Sequence, residues 1–408
     1  MHYIIKFPVQ IEPKEQGQRN MHTGFGAIKV AFMLPALRGG GLEKIIITLA
    51  KGLSKRGVKV EFVLAHAKGE FLDFVSPEFH IHFLGAPQRL GLLRCYPSIV
   101  HYLLKARPDA IFPLWDGLEI IPLVALGLAK ALSLGRLKTC LIYSIHNDPQ
   151  YLRKLPGVLK RTVGICSAYI VPRFARKVVA VSKGVAEAFA KEFGLPLGKT
   201  HVIYNGVVTP ELYDLAEEPV THPSFQTSSI PVILAVGRLT EQKDFPTLLR
   251  AFALVRKEMK ARLLILGEGE KRKELEALAR ELGIAEDLDM PGFVKNPYKY
   301  MRRSAVFVLS SQWEGLPTVL VEAMACGCPV VSTDCPSGPA EILENGKYGL
   351  LVPPRDHEKL AQAILQVLKD ERLARELREK GRKRAMDFSV ENAAEKYLDL
   401  INACIHKT

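Results

Sequence analysis

Short apolar runs alternate with longer amphipathic segments along most of the chain. Residues 28–34 are apolar, residues 42–56 carry apolar side chains at helical spacing, and residues 58–65 are apolar again. This order predicts strand, helix and parallel strand. The alternation continues with predicted strands at 109–112, 139–145, 177–181 and 201–204 and predicted helices at 120–132 and 184–193. We therefore predict a Rossmann-like α/β domain over residues 28–210, after an N-terminal extension of residues 1–27.

The second half repeats this architecture after a break. Residues 211–230 lack periodicity and are rich in proline, threonine, serine and acid, which is typical of a linker. A second Rossmann-like domain is predicted over residues 231–388, and a last amphipathic helix within residues 389–408. The predicted strands of this second domain are 232–236, 261–266, 288–290, 305–309 and 330–333. Its predicted helices are 246–259, 270–282, 318–325 and the charged stretch 356–385.

Composition favours a globular chain in a reducing compartment. With 408 residues, 48% of them hydrophobic, the chain can build two cores. Residues 120–129, the longest uncharged apolar run, are too few to span a bilayer, and residues 1–27 lack the continuous apolar core of a secretory signal. The seven scattered cysteines form neither a disulfide framework nor a metal-ligand pattern. These features predict a cytoplasmic protein without a metal site.

Positive charge is concentrated in the N-terminal half. Residues 28–210 hold 25 Lys and Arg against 11 Asp and Glu, whereas residues 211–408 hold 28 against 30. Residues 149–186 contain eight cations and no acid, including Arg153, Lys154, Lys160 and Arg161, with apolar Tyr151, Leu152 and Leu155 between them. We predict that this segment binds an anionic membrane surface. A solvated basic face without a partner is the alternative, and the chain lacks the motifs of a nucleic-acid binder.

Two glutamates flank a predicted helix start in the second domain. Glu314 lies on the turn after the strand 305–309, and Glu322 lies one turn inside the helix 318–325. The free N–H groups of that helix start, including those near Gly315 and Leu316, favour an anion between the two carboxylates. Such a site suits a ligand with hydroxyl groups at both ends and phosphate in the middle, such as a nucleotide-sugar.

Two cations lie where phosphate binds in an open α/β sheet. Gly237 and Arg238 follow the strand 232–236 directly, and Lys243 comes five residues later. In the first domain, Gly39, Gly40 and Gly41 precede a helix but do not form G-x-G-x-x-G, and no acid ends the second strand. A dinucleotide dehydrogenase is therefore disfavoured.

Together these motifs resemble the retaining GT-B glycosyltransferases of family four, whose hallmark is Glu, seven residues, Glu. The resemblance covers residues 28–400 and implies two domains facing each other across a cleft. It implies that Glu322 binds the ribose, that Glu314 with Gly315 and Leu316 binds the donor sugar, and that Arg238 and Lys243 with Gly237 hold the diphosphate in place of a metal ion. Gly40, Gly41 and Glu43 resemble the first loop of this family.

His146 ends the predicted strand 139–145, where this family often has a histidine in the cleft. We predict that it contacts the donor sugar or the transition state, beside an acceptor region formed by Gly39, Gly40, Gly41 and Glu43. Arg238, Lys243, Glu314 and His146 are the predicted catalytic residues.

The resulting hypothesis is a retaining, metal-independent glycosyltransferase that is peripheral on the cytoplasmic face of a membrane. It would transfer a hexose or N-acetylhexosamine from a UDP-sugar to a lipid-linked or polysaccharide acceptor. The alternatives are a sugar-nucleotide epimerase or hydrolase of the same fold and a non-catalytic sugar-binding protein at the membrane.

Overall fold

The computed structural model describes residues 27–37, 40–72, 75–85, 95–115, 117–155, 157–226 and 230–406. The predicted N-terminal extension, except residue 27, and Gly39 of the first loop lie outside these residues. The described chain forms two parallel β-sheets, each with helices on both faces, which is the predicted α/β class.

The N-terminal sheet has seven strands in the order β3-β2-β1-β4-β5-β6-β7. The strands are β1 Lys29–Leu34, β2 Lys59–Leu64, β3 His80–Phe83, β4 Ala110–Pro113, β5 Cys140–Ile145, β6 Lys177–Ala180 and β7 Thr200–Val202. The helices are α1 Gly41–Ser54, α2 Tyr96–Ala106, α3 Ile120–Leu132, α4 Gln150–Arg153, α5 Val158–Phe174 and α6 Lys183–Phe193. Strand β1 pairs with both β2 and β4, so the strand order reverses beside β1 and opens a crevice there.

The C-terminal sheet has six strands in the order β10-β9-β8-β11-β12-β13. The strands are β8 Val232–Val236, β9 Arg262–Leu266, β10 Leu288–Gly292, β11 Val306–Leu309, β12 Val330–Thr333 and β13 Leu350–Val352. The helices are α7 Pro210–Glu217, α8 Phe245–Glu258, α9 Arg272–Glu281, α10 Tyr298–Arg303, α11 Thr318–Ala325, α12 Pro339–Ile342, α13 His357–Lys369, α14 Glu371–Ala385 and α15 Val390–Ile405. Here the order reverses beside β8, which pairs with β9 and β11.

The last helix, α15, returns to the N-terminal domain. Its residues Tyr397, Leu400 and Ile401 are buried in the same apolar cluster as Phe112 of β4. Helix α1 lies close beside it, since a Cβ atom on Gly52 would come within 2.9 Å of the Ala394 side chain. The chain therefore joins its two domains twice, at α7 and at α15.

Several elements lack a clear sequence pattern. Helix α7 occupies part of the predicted linker, where Thr209 caps it by accepting the Leu212 N–H at 3.3 Å. The helix is only eight residues long, and Arg303 of α10 donates to its Ala216 carbonyl at 3.0 Å. A helix this short depends on its neighbours more than on its own periodicity.

Candidate active site

Glu314 lies on a buried turn between β11 and α11. Its carboxylate Oε1 accepts hydrogen bonds from Lys243 Nζ and from Ser311 Oγ, both at 2.6 Å. The Glu314 side chain is 8% exposed and that of Lys243 is 16% exposed. The short loop that carries Lys243 is fixed to this turn, because Ser310 Oγ donates to the Lys243 carbonyl at 2.7 Å. Two residues that are 71 positions apart thus form one enclosed ion pair.

The other cation of the predicted diphosphate clamp remains in solvent. Arg238 is exposed, and among the described residues it makes no ion pair within 4.0 Å. It follows Gly237 at the end of β8, where the chain is crowded: a Cβ atom on Gly267 would lie 1.9 Å from the Gly237 carbonyl oxygen. The Arg238 side chain is therefore available to an anion at the mouth of the site.

Glu322 is the deeper carboxylate, 3% exposed on helix α11. Its Oε1 accepts from Lys44 Nζ at 2.7 Å and from the Tyr298 hydroxyl at 3.0 Å. Burial, together with the Glu322 charge, raises the pKa of Tyr298 far above its usual range, so its hydroxyl keeps the proton that it donates. Lys44 belongs to helix α1, so this cluster bridges the two domains.

The two domains are in close contact at Gly315. A Cβ atom there would lie 2.1 Å from the His146 carbonyl oxygen, so only glycine permits this approach. Ser182 Oγ, at the start of α6, donates to the Gly315 carbonyl at 2.9 Å. Among the described residues, the N–H groups of Gly315 and Leu316 donate to no protein acceptor, which leaves them available to a ligand.

His146 lies at the end of β5, on the N-terminal side of this contact. It lines a cavity of about 60 Å³ together with Leu42, Tyr143 and Asn147. Within the described part of the chain, neither of its ring nitrogens has a hydrogen-bond partner. Burial lowers the pKa of His146 to about 4, so the ring is neutral at pH 7. It can exchange a hydrogen bond with a ligand without adding charge.

The first glycine loop opens helix α1 beside this cavity. Gly40 is the N-cap residue of α1 and Gly41 its first residue. A Cβ atom on Gly40 would lie 2.4 Å from Glu43 Oε2, so the loop closes tightly on the Glu43 side chain. Leu42 lines the cavity, so Gly40, Gly41 and Glu43 of the predicted first loop lie next to a cavity residue in the chain.

Two family models match successive parts of the chain. The model described as Glycosyltransferase Family 4 matches residues 39–210, and the model described as Glycosyl transferases group 1 matches residues 223–384. Together they span both domains and contain every residue of the site. The chain is a glycosyltransferase, with a first domain that matches Family 4 and a second domain that matches group 1.

Relatives of this glycosyltransferase include two bacterial glycosyltransferases that match most of its length. It is 28% identical over 382 residues to the N-acetylgalactosamine-N,N'-diacetylbacillosaminyl-diphospho-undecaprenol 4-alpha-N-acetylgalactosaminyltransferase of Campylobacter jejuni, covering 91% of this chain and 99% of that protein. It is 27% identical over 371 residues to the lipopolysaccharide core biosynthesis glycosyltransferase LpsE of Rhizobium meliloti, covering 89% and 96%.

Solved glycosyltransferase structures share the fold over nearly the whole length. A glycosyltransferase from Rickettsia africae superposes with a TM-score of 0.75 at 19% identity, covering 94% of this chain and all of that one. HepE of Anabaena, crystallised with UDP, superposes with a TM-score of 0.71 at 22% identity, covering 92% and 100%. These likenesses establish the GT-B architecture that the sequence motifs implied.

The basic segment of the glycosyltransferase differs in detail from the prediction. Arg153 pairs with Glu192 at 3.0 Å, and Lys154 pairs with Glu241 of the other domain at 2.7 Å. Leu152 is 7% and Leu155 2% exposed, so these two apolar residues of the segment are buried and cannot contact a membrane surface. Both side chains face the domain core because α4 packs on α5.

Exposed apolar side chains lie instead on helices α3 and α5, which pack on each other. We call this the α3–α5 surface; its exposed apolar residues, including one just after α3, are Val124, Leu128, Leu132, Leu134, Val158, Leu159, Ile165, Tyr169 and Phe174. Lys160 and Arg161 of the predicted membrane segment belong to α5. Cations and exposed apolar groups therefore share this surface.

Sequence reasoning missed Lys44, Tyr298 and Ser311 as site residues. Lys44 directly follows the Gly40, Gly41 and Glu43 motif, so its position next to a predicted loop was the available signal. Tyr298 had none, because a lone tyrosine on a short helix is usual in a core.

Proposed function

We propose that this glycosyltransferase transfers a hexose or N-acetylhexosamine from a UDP-sugar to a lipid-linked or polysaccharide acceptor, with retention and without a metal ion. The observation that carries the proposal is the arrangement of Glu314, Lys243 and Glu322 around the start of α11, opposite His146 of the other domain. Positive charge, two buried carboxylates and free N–H groups converge on one cleft.

The donor fits this cleft from end to end. Glu322 accepts the ribose hydroxyls, Arg238 and Lys243 neutralise the diphosphate, and Glu314 accepts the hydroxyls of the sugar. HepE was crystallised with UDP and with UDP-glucose, which supports a uridine nucleotide. The two cations supply at the leaving group the charge that a metal ion supplies in other transferases.

Support for a lipid-linked acceptor comes from the relatives. The Campylobacter protein bears the name of a transferase acting on a diphospho-undecaprenol glycan. The N-terminal domain of our chain, with the first glycine loop and the cavity beside His146, would hold the acceptor sugar next to the donor.

In the proposed reaction, the acceptor hydroxyl attacks the anomeric carbon from the face that the diphosphate leaves. The bond between the anomeric carbon and the diphosphate oxygen breaks, and the acceptor proton passes to that oxygen. A glycoside and UDP result. Glu314 is held by Lys243 and serves as a partner of the sugar hydroxyls instead of forming a covalent intermediate.

The α3–α5 surface is the proposed contact with a cytoplasmic membrane face. Within the described residues, no helix has the length and apolar character needed to cross a bilayer. Cations such as Lys160 and Arg161 attract anionic headgroups, and neighbouring groups such as Leu159 can enter the interface. The membrane would then present a lipid-linked acceptor to the N-terminal domain.

The decisive experiment is a panel of UDP-, GDP- and ADP-sugars tested for thermal stabilisation, followed by product analysis with and without a glycan acceptor. A ligand that binds only the folded state raises Tm. We expect UDP-sugars to stabilise the protein and sugar transfer to require the acceptor. An isomerised or hydrolysed donor without an acceptor would indicate the epimerase or hydrolase alternative, and binding without turnover would indicate a sugar-binding protein.

A further inference from the structure

At the deep end of the cleft, the Glu322 carboxylate forms an ion pair with a lysine of the other domain. Lys44 lies in the first turn of α1, and its Nζ is 2.7 Å from Glu322 Oε1 on α11. The Glu322 side chain is 5% exposed, whereas that of Lys44 is 43% exposed. The ammonium also lies over the Tyr298 ring, 4.7 Å from its centroid. The lysine thus reaches into the site from solvent.

Glu322 has two donors that differ in their attachment. Tyr298 belongs to the same domain as Glu322 and is 5% exposed, so it cannot leave without unpacking α10. Lys44 belongs to the opposite domain and has a flexible side chain that is 43% exposed, so it can move away without unpacking a helix. Both donors occupy Oε1 of Glu322, so a ribose hydroxyl that donates to this oxygen would take the place of Lys44 and not of Tyr298.

We propose that Lys44 is an internal occupant of the ribose site, which the donor must displace from Glu322 to bind. The inference rests on the proposed donor role of Glu322. Since Lys44 and Glu322 lie in different domains, displacement also removes a contact that holds the cleft in its ligand-free arrangement. Nucleotide entry and the loosening of the domain contact are then one event.

Some other polar contacts between the domains do not have this property. Glu341 accepts from the Lys183 N–H at 2.9 Å and from the Tyr204 hydroxyl at 2.7 Å, and Ser182 donates to the Gly315 carbonyl. None of these involves a carboxylate that the donor is proposed to bind. They can hold the domains together while Lys44 leaves Glu322.

Uridine is the probe that isolates this competition, because it carries the ribose without the phosphates. A titration followed by NMR would compare the wild-type protein with Lys44→Met, Lys44→Arg and the control Lys51→Met. Lys51 is exposed on the same helix, and among the described residues it has no ion pair within 4.0 Å. We expect Lys44→Met to bind uridine about twofold to fivefold more tightly, the range of a half-exposed ion pair. The arginine variant and the control should resemble the wild type.

The salt dependence of uridine binding provides a second test. If Lys44 had only a structural role, replacing it would not change this salt dependence. Because uridine is uncharged, salt acts on its binding through the Lys44–Glu322 pair, which screening weakens. Wild-type affinity for uridine should rise between low and high salt, and that of Lys44→Met should stay constant.

If a folded Lys44→Met variant binds uridine no more tightly than the wild type and shows the same salt dependence, the ribose does not displace Lys44 and the proposal is wrong. Lys44→Gln, tested in parallel, would repeat the comparison with a polar side chain. Failure of the wild-type protein to bind UDP or any UDP-sugar would instead overturn the proposed function, so the two failures are distinguishable.

Discussion

At the scale of single residues, each glutamate of the site forms an ion pair with a lysine, but the two lysines come from different domains. Lys243 and Glu314 belong to the same domain and are both largely buried. Their hydrogen bonds to Ser310 and Ser311 fix them before any ligand arrives. Such preorganisation makes an electrostatic contact effective in a transition state, because no reorientation is needed during the reaction.

We expect Lys243→Ala to lower turnover by about 100-fold, the scale of losing one preorganised electrostatic contact. Steady-state kinetics with a UDP-sugar and an acceptor would measure this loss of turnover. Lys271→Ala is the control, because Lys271 forms an ion pair with Glu274 at the surface. Added Mg²⁺ or EDTA should change the wild-type rate little. A strict requirement for a divalent ion would contradict the metal-free mechanism.

Calorimetry should distinguish the roles of the two glutamates, because their alanine variants should differ in which ligand they bind more weakly. Glu322→Ala should weaken UDP and UDP-sugar alike, by about tenfold to 100-fold, because both ligands place a ribose on the same charged acceptor. Glu314→Ala should weaken only the UDP-sugar, because UDP lacks the sugar. Equal losses for both ligands in both variants would mean that the roles are misassigned.

At the scale of elements, helix α5 combines opposite environments. Gly164, Ser167 and Ala168 are buried, whereas Leu159 and Val158 are 77% exposed. Small residues let α5 approach the rest of the domain: a Cβ atom on Gly164 would lie 2.9 Å from the Leu155 side chain. The larger apolar groups are left facing outward beside cations. Such a surface fits a membrane interface better than bulk water.

Liposome sedimentation tests the α3–α5 surface. The wild-type protein should bind anionic vesicles at low salt and be released as salt rises, because each cation near the surface contributes about 1 kcal/mol within a Debye length. The double variant Lys160→Glu, Arg161→Glu should reduce this vesicle binding. The double variant Leu132→Ser, Leu159→Ser should weaken the vesicle binding that remains at higher salt.

The matched control is Lys273→Glu with Arg280→Glu, which makes the same charge change on exposed positions of α9 in the other domain. It should bind vesicles nearly as the wild type does. If the α5 charge variant also binds like the wild type, this surface is a solvated face and the acceptor need not be lipid-linked.

At the scale of the whole molecule, the cleft depends on how closely two backbones approach. Gly315 of one domain touches the His146 carbonyl of the other, and Ser337 donates to Asp148 across the same gap at 3.4 Å. Helix α15 joins the domains a second time on the far side. The relative position of the domains therefore depends on contacts close to the chemistry.

Gly315→Ala should separate the domains, because the added Cβ atom would lie 2.1 Å from a backbone oxygen that cannot swing aside. We expect a larger radius of gyration in small-angle X-ray scattering and a loss of turnover of about 100-fold, the scale of an ångström misplacement of reacting groups. Gly198→Ala is the control, since a Cβ atom there meets no described residue within 4 Å. An unchanged radius and rate would show that the contact is not needed for closure.

Local sequence determined many of the elements and the half of the site that lies within one domain. Helix α11 spans the predicted residues 318–325, and α15 lies within the predicted residues 389–408, because Pro317 and Ser389 mark their starts and apolar spacing continues to their ends. Glu314, Glu322, Arg238 and Lys243 follow predicted strand ends or helix starts, and strand ends of a parallel sheet share one edge. That much is a property of short-range spacing.

Tertiary structure alone decided which groups meet across the cleft and which face solvent. Lys44 reaches Glu322 over 278 positions, and no spacing encodes such a contact. Leu152 and Leu155 look like surface residues in a basic segment, yet they are buried because α4 packs on α5. Burial and domain contact arise from the packing of distant segments, so the sequence specified the chemical groups and the fold determined their partners.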